Sequence, residues 1–258
     1  MAIITFLSDF GEKDHYVAAV KASILAKSPS QQIVDISHQI NRHDISHAAY
    51  VIKSVFQQFP KGTVHLISVN PVTKRIARMV AVEIDGHFFV AHDSGIFNLI
   101  SSTPIGFAVE LPPMGNTFET RSVLGPIAAR LAKGESLQSV GNQAMNLEIK
   151  MDRQLKATKR EMVGQVIHID HYGNLITNIN KTDFDNICKL NGGEPGYTVR
   201  FSREVFTRLH SHYSDVEDGD CFVLFNSDGL LEIGINKGRA SELLGLRKDA
   251  LVSIEFNQ

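Results

Sequence analysis

Apolar and polar positions alternate between two rhythms in the first half of the chain. Ile3-Ile4-Thr5-Phe6-Leu7 is a short apolar run that stops abruptly at Ser8-Asp9-Phe10-Gly11. Such a run, rich in β-branched residues, predicts a strand buried on both faces. Over residues 15–26 the apolar positions Val17, Val20, Ile24 and Leu25 recur at helical spacing, with Asp14 expected as the N-cap. Residues 32–38 form a second strand pattern, and Asp44 is placed to cap a helix whose apolar face is Ala48, Ala49, Ile52 and Val55. Phe59-Pro60-Lys61-Gly62 is a turn, and residues 63–69 are a third strand ending in Asn70-Pro71. Residues 79–84 and 87–90 bracket Asp85-Gly86, a two-residue hairpin signal. A helix is expected over 122–132, opening near Pro126 and stopping before Gly134. Strands separated by helices predict a largely parallel sheet, with the hairpin adding antiparallel strands.

The texture changes near residue 155. Residues 147–162 are charged and aperiodic, and beyond them six short strand patterns (163–169, 175–179, 197–201, 221–225, 230–235 and 251–256) are separated by turn residues, with one helix-like insert at 240–244. The expected organisation is an α/β domain over 1–155 and a smaller all-β, barrel-like domain over 156–258.

Composition narrows the functional classes. The 258 residues are 43% hydrophobic and 21% charged, the range of an ordinary globular protein. With 26 basic and 28 acidic residues, the net charge of -2 gives no reason to expect a nucleic-acid or anionic-membrane partner. No apolar run is long enough to span a bilayer. Two cysteines, Cys188 and Cys221, exclude a disulfide framework and make a reducing cytoplasm the expected setting. The 11 histidines show no His-Glu-x-x-His spacing, so no metal site is expected. Phosphate-cradling glycine loops and a Gly-x-Ser-x-Gly elbow are also missing from the sequence.

Candidate chemistry lies in the polar turns. Asp9 sits at the tip of the first strand, where open α/β sheets place ligand groups, although capping the next helix is the simpler reading. Asp170-His171-Tyr172-Gly173-Asn174 holds a carboxylate, an aromatic that can stack on a base and an amide that can read an adenine edge. Asn226-Ser227-Asp228-Gly229 and Asn236-Lys237-Gly238 are two further turns of this type. Each also reads simply as a hairpin turn.

Taken in order, Ser8-Asp9-Phe10-Gly11, Ile33-Val34-Asp35-Ile36-Ser37-His38, Asp93-Ser94-Gly95, Ile169-Asp170, Tyr172-Gly173-Asn174-Leu175-Ile176-Thr177-Asn178 and Asn226-Ser227 with Gly229-Leu230-Leu231-Glu232-Ile233 resemble the S-adenosylmethionine hydroxide adenosyltransferases and the related fluorinases and chlorinases. The resemblance covers nearly the whole chain. It implies a seven-stranded α/β domain, a C-terminal β-barrel and a homotrimer with the substrate site shared between subunits. It also implies displacement at ribose C5′ of S-adenosylmethionine by water or halide, with S-adenosylmethionine as substrate and no cofactor. Asp9 is then implied to hold the ribose hydroxyls, Asn174 the adenine edge with backbone near Lys237 and Gly238, and Asp170 and Ser227 the methionine end. Tyr172 packs on the ligand, and Phe10, Thr73, Thr120 and Asn236 complete the implied substrate-binding set.

The chain departs from the family around the attacking water. The family's Asp, Arg and His fall at Asn70, Ala77 and Glu119, with Arg78 beside the second position. Asn70, Arg78 and Glu119 are therefore the expected catalytic group, with Glu119 as a base or paired to an arginine. Thr73 and Thr120 echo the halogenases, whereas Asp228 stands where those enzymes carry an arginine. The leading expectation is an enzyme that hydrolyses S-adenosylmethionine to adenosine and methionine. The alternatives are a catalytically degenerate adenosine or S-adenosylmethionine binder and a transferase using another nucleophile.

Overall fold

The computed structural model describes residues 2–69, 78–113, 117–151, 154–193 and 195–257. The chain forms two compact units, Met1–Asp152 and Arg153–Gln258.

The first unit is built on β1 (Ile4–Ser8), α1 (Tyr16–Lys27), β2 (Ile33–Ser37), α2 (Ile45–Val55), β3 (Val64–Ser68), β4 (Met79–Ile84), β5 (His87–His92), α3 (Ile96–Ile100), β6 (Ala108–Glu110), α4 (Gly125–Ala132), α5 (Leu137–Val140) and β7 (Asn142–Gln143). Its seven strands run in the order β2-β1-β3-β5-β4-β6-β7. The sheet is mixed: β2, β1, β3 and β5 pair in parallel, the hairpin adds β4 antiparallel as expected, and β6 and β7 extend the antiparallel side. The hairpin causes the switch. Asp85 and Gly86 both take positive φ, 51° and 75°, and set Ile84 opposite His87.

Period-two alternation gives each face its own core. Ile4, Phe6, Val64, Leu66 and Val90 pack with α1, α4 and α5, whereas Leu7, Ile67, Val80, Val82 and Phe89 pack with α2 and α3. Asp44 caps α2 as expected, its carboxylate accepting from His47 N at 2.9 Å. Asp14 does not cap α1; His15 holds the N-cap position, without a side-chain bond.

A buried polar pair interrupts the apolar run of β1 and β3. Thr5 and His65 lie opposite each other, with Oγ1 and Nδ1 at 2.7 Å, and His65 Nε2 is 3.2 Å from His87 Nδ1. His65 is fully buried, and burial followed by the neighbouring His87 lowers its pKa to about 3. In the unfolded chain it titrates near ~6.5, so its contribution to stability is complete above that value and is lost as pH falls toward the folded pKa. Between pH 7 and pH 5 the first unit should lose about 2 kcal/mol from this residue alone. Urea titrations at both pH values check this, and His65→Phe should flatten the difference.

The second unit carries β8 (Lys156–Ala157), β9 (Glu161–Ile169), β10 (Leu175–Asn180), α6 (Lys181–Leu190), β11 (Tyr197–Phe201), β12 (Glu204–Phe206), β13 (Cys221–Phe225), β14 (Leu230–Ile235), α7 (Ala240–Leu243) and β15 (Leu251–Phe256). Its eight strands form one antiparallel, barrel-like sheet around Met162, Val166, Leu175, Val199, Val223, Ile233 and Ile254. Helix α6 was not expected from the sequence; Asn180 caps it by accepting from Asp183 N at 2.8 Å, and Phe184 and Ile187 anchor it.

Among the described residues, no helix is long and apolar enough to cross a membrane. Among them, too, no group of three or more His, Cys, Asp or Glu is arranged to hold a metal.

Candidate active site

The tip of β1 is held in place by its neighbours. Ser8 Oγ lies 2.7 Å from His38 Nδ1, Gly11 N donates to His38 O at 2.8 Å, and Asp9 N donates to Ser68 O at 3.3 Å. The Asp9 carboxylate accepts from His43 N at 3.0 Å. It therefore ties β1 to the turn before α2 rather than capping α1. One carboxylate oxygen of Asp9 takes that bond, and the side chain keeps partial exposure.

Phe10, the next residue, opens a cavity of about 270 Å³ lined also by Tyr16, Ser68, His92, Thr117, Phe118, Glu119 and Thr120. One wall is aromatic: Phe10, Tyr16 and Phe118 pack pairwise with ring centroids 5.4–5.9 Å apart. The opposing chemistry is polar. His92 Nε2 lies 3.0 Å from Glu119 Oε2, and Ser68 Oγ lies 2.6 Å from Thr120 Oγ1. Glu119 thus pairs with a histidine, not with Arg78 or Arg121. Arg121 instead stacks its guanidinium over Phe118 at 5.6 Å.

Local backbone explains how Glu119 and Thr120 reach the cavity. A π-helical turn, Thr120–Leu124, leads into α4, a form frequent at functional sites. It is set close against α1 by Gly125, where a Cβ would lie 2.7 Å from Ser23 Oγ.

Arg78 is engaged elsewhere. Its Nε donates to the buried Asp93 at 2.9 Å, and its Nη2 donates to Met145 O and Asn146 O at 2.8 and 2.7 Å. Asp93 also accepts from Glu148 N at 3.0 Å, so the pair straps residues 145–148 to the ends of β4 and β5. Arg78 does not line the cavity around Glu119. Asn70 and Thr73 lie outside the described residues.

In the second unit, the turns singled out in the sequence converge on a buried carboxylate. Asn174 Nδ2 donates to Glu232 Oε1 at 3.0 Å, and Asn226 Nδ2 donates to Glu232 Oε2 at 3.1 Å. Burial pushes the Glu232 pKa up, the Asn226 bond opposes that, and Asp170 adds to the rise. Asp170 Oδ1 accepts from Asn174 N at 2.8 Å, closing the turn. Arg239 Nη1 donates to His171 O at 3.2 Å and Ser241 N to Gly173 O at 2.9 Å, which brings the segment after Asn236-Lys237-Gly238 beside Asp170–Asn174. Asn236 itself turns toward Val216 O, at 3.0 Å. Tyr172 is 75% exposed. Ser227 is exposed next to Asn226.

Sequence reasoning missed His92, Ser68, Tyr16 and Glu232 as site residues. Glu232 lay inside a quoted motif, read only as strand. His92 directly precedes Asp93-Ser94-Gly95 at a strand end, the same kind of position that drew attention to Asp9.

The chain thus joins an α/β unit, with a polar pair in an aromatic-walled cavity, to an all-β unit with clustered amide and carboxylate turns. Its family is explicit in the comparisons: residues 4–141 match the SAM hydroxide adenosyltransferase N-terminal domain and residues 164–253 the SAM hydroxide adenosyltransferase C-terminal domain. The chain belongs to this family. It is 30% identical over 263 residues to the (R)-S-adenosyl-L-methionine hydrolase of Thermus thermophilus, covering 96% of this chain and 97% of that protein. It is 29% identical over 224 residues to a fluorinase of Nocardia brasiliensis, covering 72% of this chain and 73% of that one. A solved structure from Thermotoga maritima superposes with a TM-score of 0.87 at 29% identity, over 98% of this chain and 99% of that one.

Proposed function

We propose that this protein cleaves S-adenosylmethionine at ribose C5′ with water, giving adenosine and methionine. The observation that carries the reading is the His92–Glu119 pair, held at 3.0 Å in the cavity that Phe10 opens beside Asp9. A sulfonium leaves without protonation, so the protein must orient the nucleophile and keep bulk water away. The aromatic wall of Phe10, Tyr16 and Phe118 suits the second task, and the polar pair suits the first. Hydrolase relatives of nearly equal length support the same reading. A halide nucleophile fits less well, because the Glu119 carboxylate would repel it. Incubation with S-adenosylmethionine should release adenosine and methionine in equal amounts; no adenosine above an enzyme-free control would reject the proposal.

In this reading Asp9 holds the ribose hydroxyls, Asp170 and Ser227 the methionine end, Tyr172 covers the ligand and Asn174 reads the adenine edge. Phe10, Thr120, Asn236 and Gly238 complete the pocket. Glu232 supports Asn174 by taking its amide hydrogen, which leaves Oδ1 to accept from an adenine amino group. Glu232→Ala should therefore raise KM about tenfold while kcat changes little, the size of one lost oriented hydrogen bond. Steady-state kinetics on the purified variant check this.

The reading carries a cytoplasmic homotrimer with a site shared between subunits. Sedimentation equilibrium should give three chains per particle; a monomer binding adenosine at full affinity would contradict it.

A second reading, a binder without turnover, is favoured by two observations. Arg78 is committed to Asp93 and to two carbonyls, and Asn70 replaces the family's acid. It predicts heat of binding with adenosine and no product from S-adenosylmethionine.

A further inference from the structure

We infer that His92 is the group that takes the proton from the attacking water, and that Glu119 is its positioning residue. The inference rests on the hydrolase reading above and assigns a residue that the family's Asp-Arg-His arrangement does not supply.

The imidazole has two distinct nitrogens, and the structure gives them different fates. Nε2 faces the Glu119 carboxylate at 3.0 Å, which fixes the proton on that nitrogen. Nδ1 is then a bare lone pair. It is buried and has no hydrogen-bond partner among the described residues. An orphaned acceptor of this kind requires a partner, and the one that fits a site built for hydrolysis is a water admitted with the substrate. The ring keeps 12% exposure and Glu119 20%, so both stay largely shielded from bulk solvent once the cavity fills.

No other described residue lining the cavity offers the same combination. Ser68 and Thr120 are hydroxyls already bonded to each other at 2.6 Å. Tyr16, Phe10 and Phe118 form the aromatic wall. Glu119 could act alone, but its Oε2 already accepts from His92, which makes it the orienting partner and the counter-charge for an imidazolium.

The step balances without any further reactant. Water oxygen forms a bond to C5′ as the C5′–S bond breaks, and that electron pair goes to sulfur, giving neutral thioether methionine. The water proton passes to His92 Nδ1, and the resulting imidazolium faces Glu119. The proton leaves to solvent with the products, restoring the neutral ring.

The test uses three proteins assayed for adenosine release from S-adenosylmethionine: wild type, His92→Gln and His92→Gly. His92→Gln should lose about 100-fold or more in kcat with KM nearly unchanged. His92→Gly should lose a comparable amount and recover activity when free imidazole is added, a response that a merely structural histidine would not give. Adenosine binding measured by calorimetry, unchanged in both variants, shows that they fold. Variants that bind adenosine normally and turn over within a few-fold of an active wild type would overturn the role of His92 and leave the hydrolase reading standing. Loss of activity in His92→Gly without imidazole rescue, while His92→Gln stays active, would also overturn it. A wild type that forms no adenosine would overturn both.

Discussion

Replacing Glu119 with glutamine is expected to lower kcat for adenosine formation by about 100-fold with KM little changed. Glutamine keeps the shape and can still accept from His92 Nε2, so the pair at 3.0 Å need not separate. What disappears is the negative charge that favours a proton on the ring as water attacks. It also becomes possible for the amide to rotate and present its NH2, which would reverse the tautomer of His92 and leave no base on Nδ1. Both effects act on the transition state more than on substrate binding, hence the expected split. Steady-state kinetics between about pH 5 and 9, the range in which imidazole titrates, supply the check. A variant as fast as wild type across that range would mean the pair is structural.

Gly234→Ala is expected to damage the second unit's fold and its ligand site together. Gly234 lies opposite Phe222 in the β13–β14 ladder, and the Phe222 ring covers it. An added Cβ would meet Phe222 Cζ at 2.0 Å and Asn174 Oδ1 at 2.7 Å. Phe222 is only 2% exposed and has little room to yield. The overpacking should cost about 3 kcal/mol. Thermal unfolding followed by circular dichroism should show a fall in Tm of roughly 6–12 °C. Adenosine affinity should fall as well, because the carbonyl displaced is the one assigned to the adenine edge. Gly106→Ala is the control: a Cβ there meets nothing within 4 Å. An unchanged Tm for Gly234→Ala would show that the strand pair opens more readily than the packing implies.

Much of this molecule was legible in the sequence, for reasons that differ by element. β1 and β3 were clear because short continuous apolar runs rich in β-branched residues suit strands buried on both faces of an α/β sheet. The β4–β5 hairpin was clear because Asp85-Gly86 accepts positive φ at both positions. The antiparallel strands β6 and β7 were not, since they are three and two residues long and carry almost no periodicity. Helix α6 escaped for a related reason: its apolar face is little more than Phe184 and Ile187 in a charged segment. The Asp14 cap failed because the chain completes its turn one residue later, at His15.

The site was legible in part. Motif order drew attention to Asp9, Asp170, Asn174 and Glu119 as candidates, but no spacing rule links Glu119 to His92, which is 27 positions away and on a different element. That contact exists only because β5 and the π-helical turn before α4 reach the same cavity. Arg78 shows the converse. Sequence proximity to the family position suggested a catalytic role, while the buried Asp93 across the hairpin claims its guanidinium.

The central claim is that water is the nucleophile and C5′ the carbon attacked. The most direct measurement is to run the reaction in ¹⁸O-enriched water and determine by mass spectrometry where the label enters. The account predicts adenosine carrying one ¹⁸O, located in the 5′-hydroxyl, and methionine carrying none. Adenosine without the label, a nucleoside other than adenosine, or no product at all would contradict it.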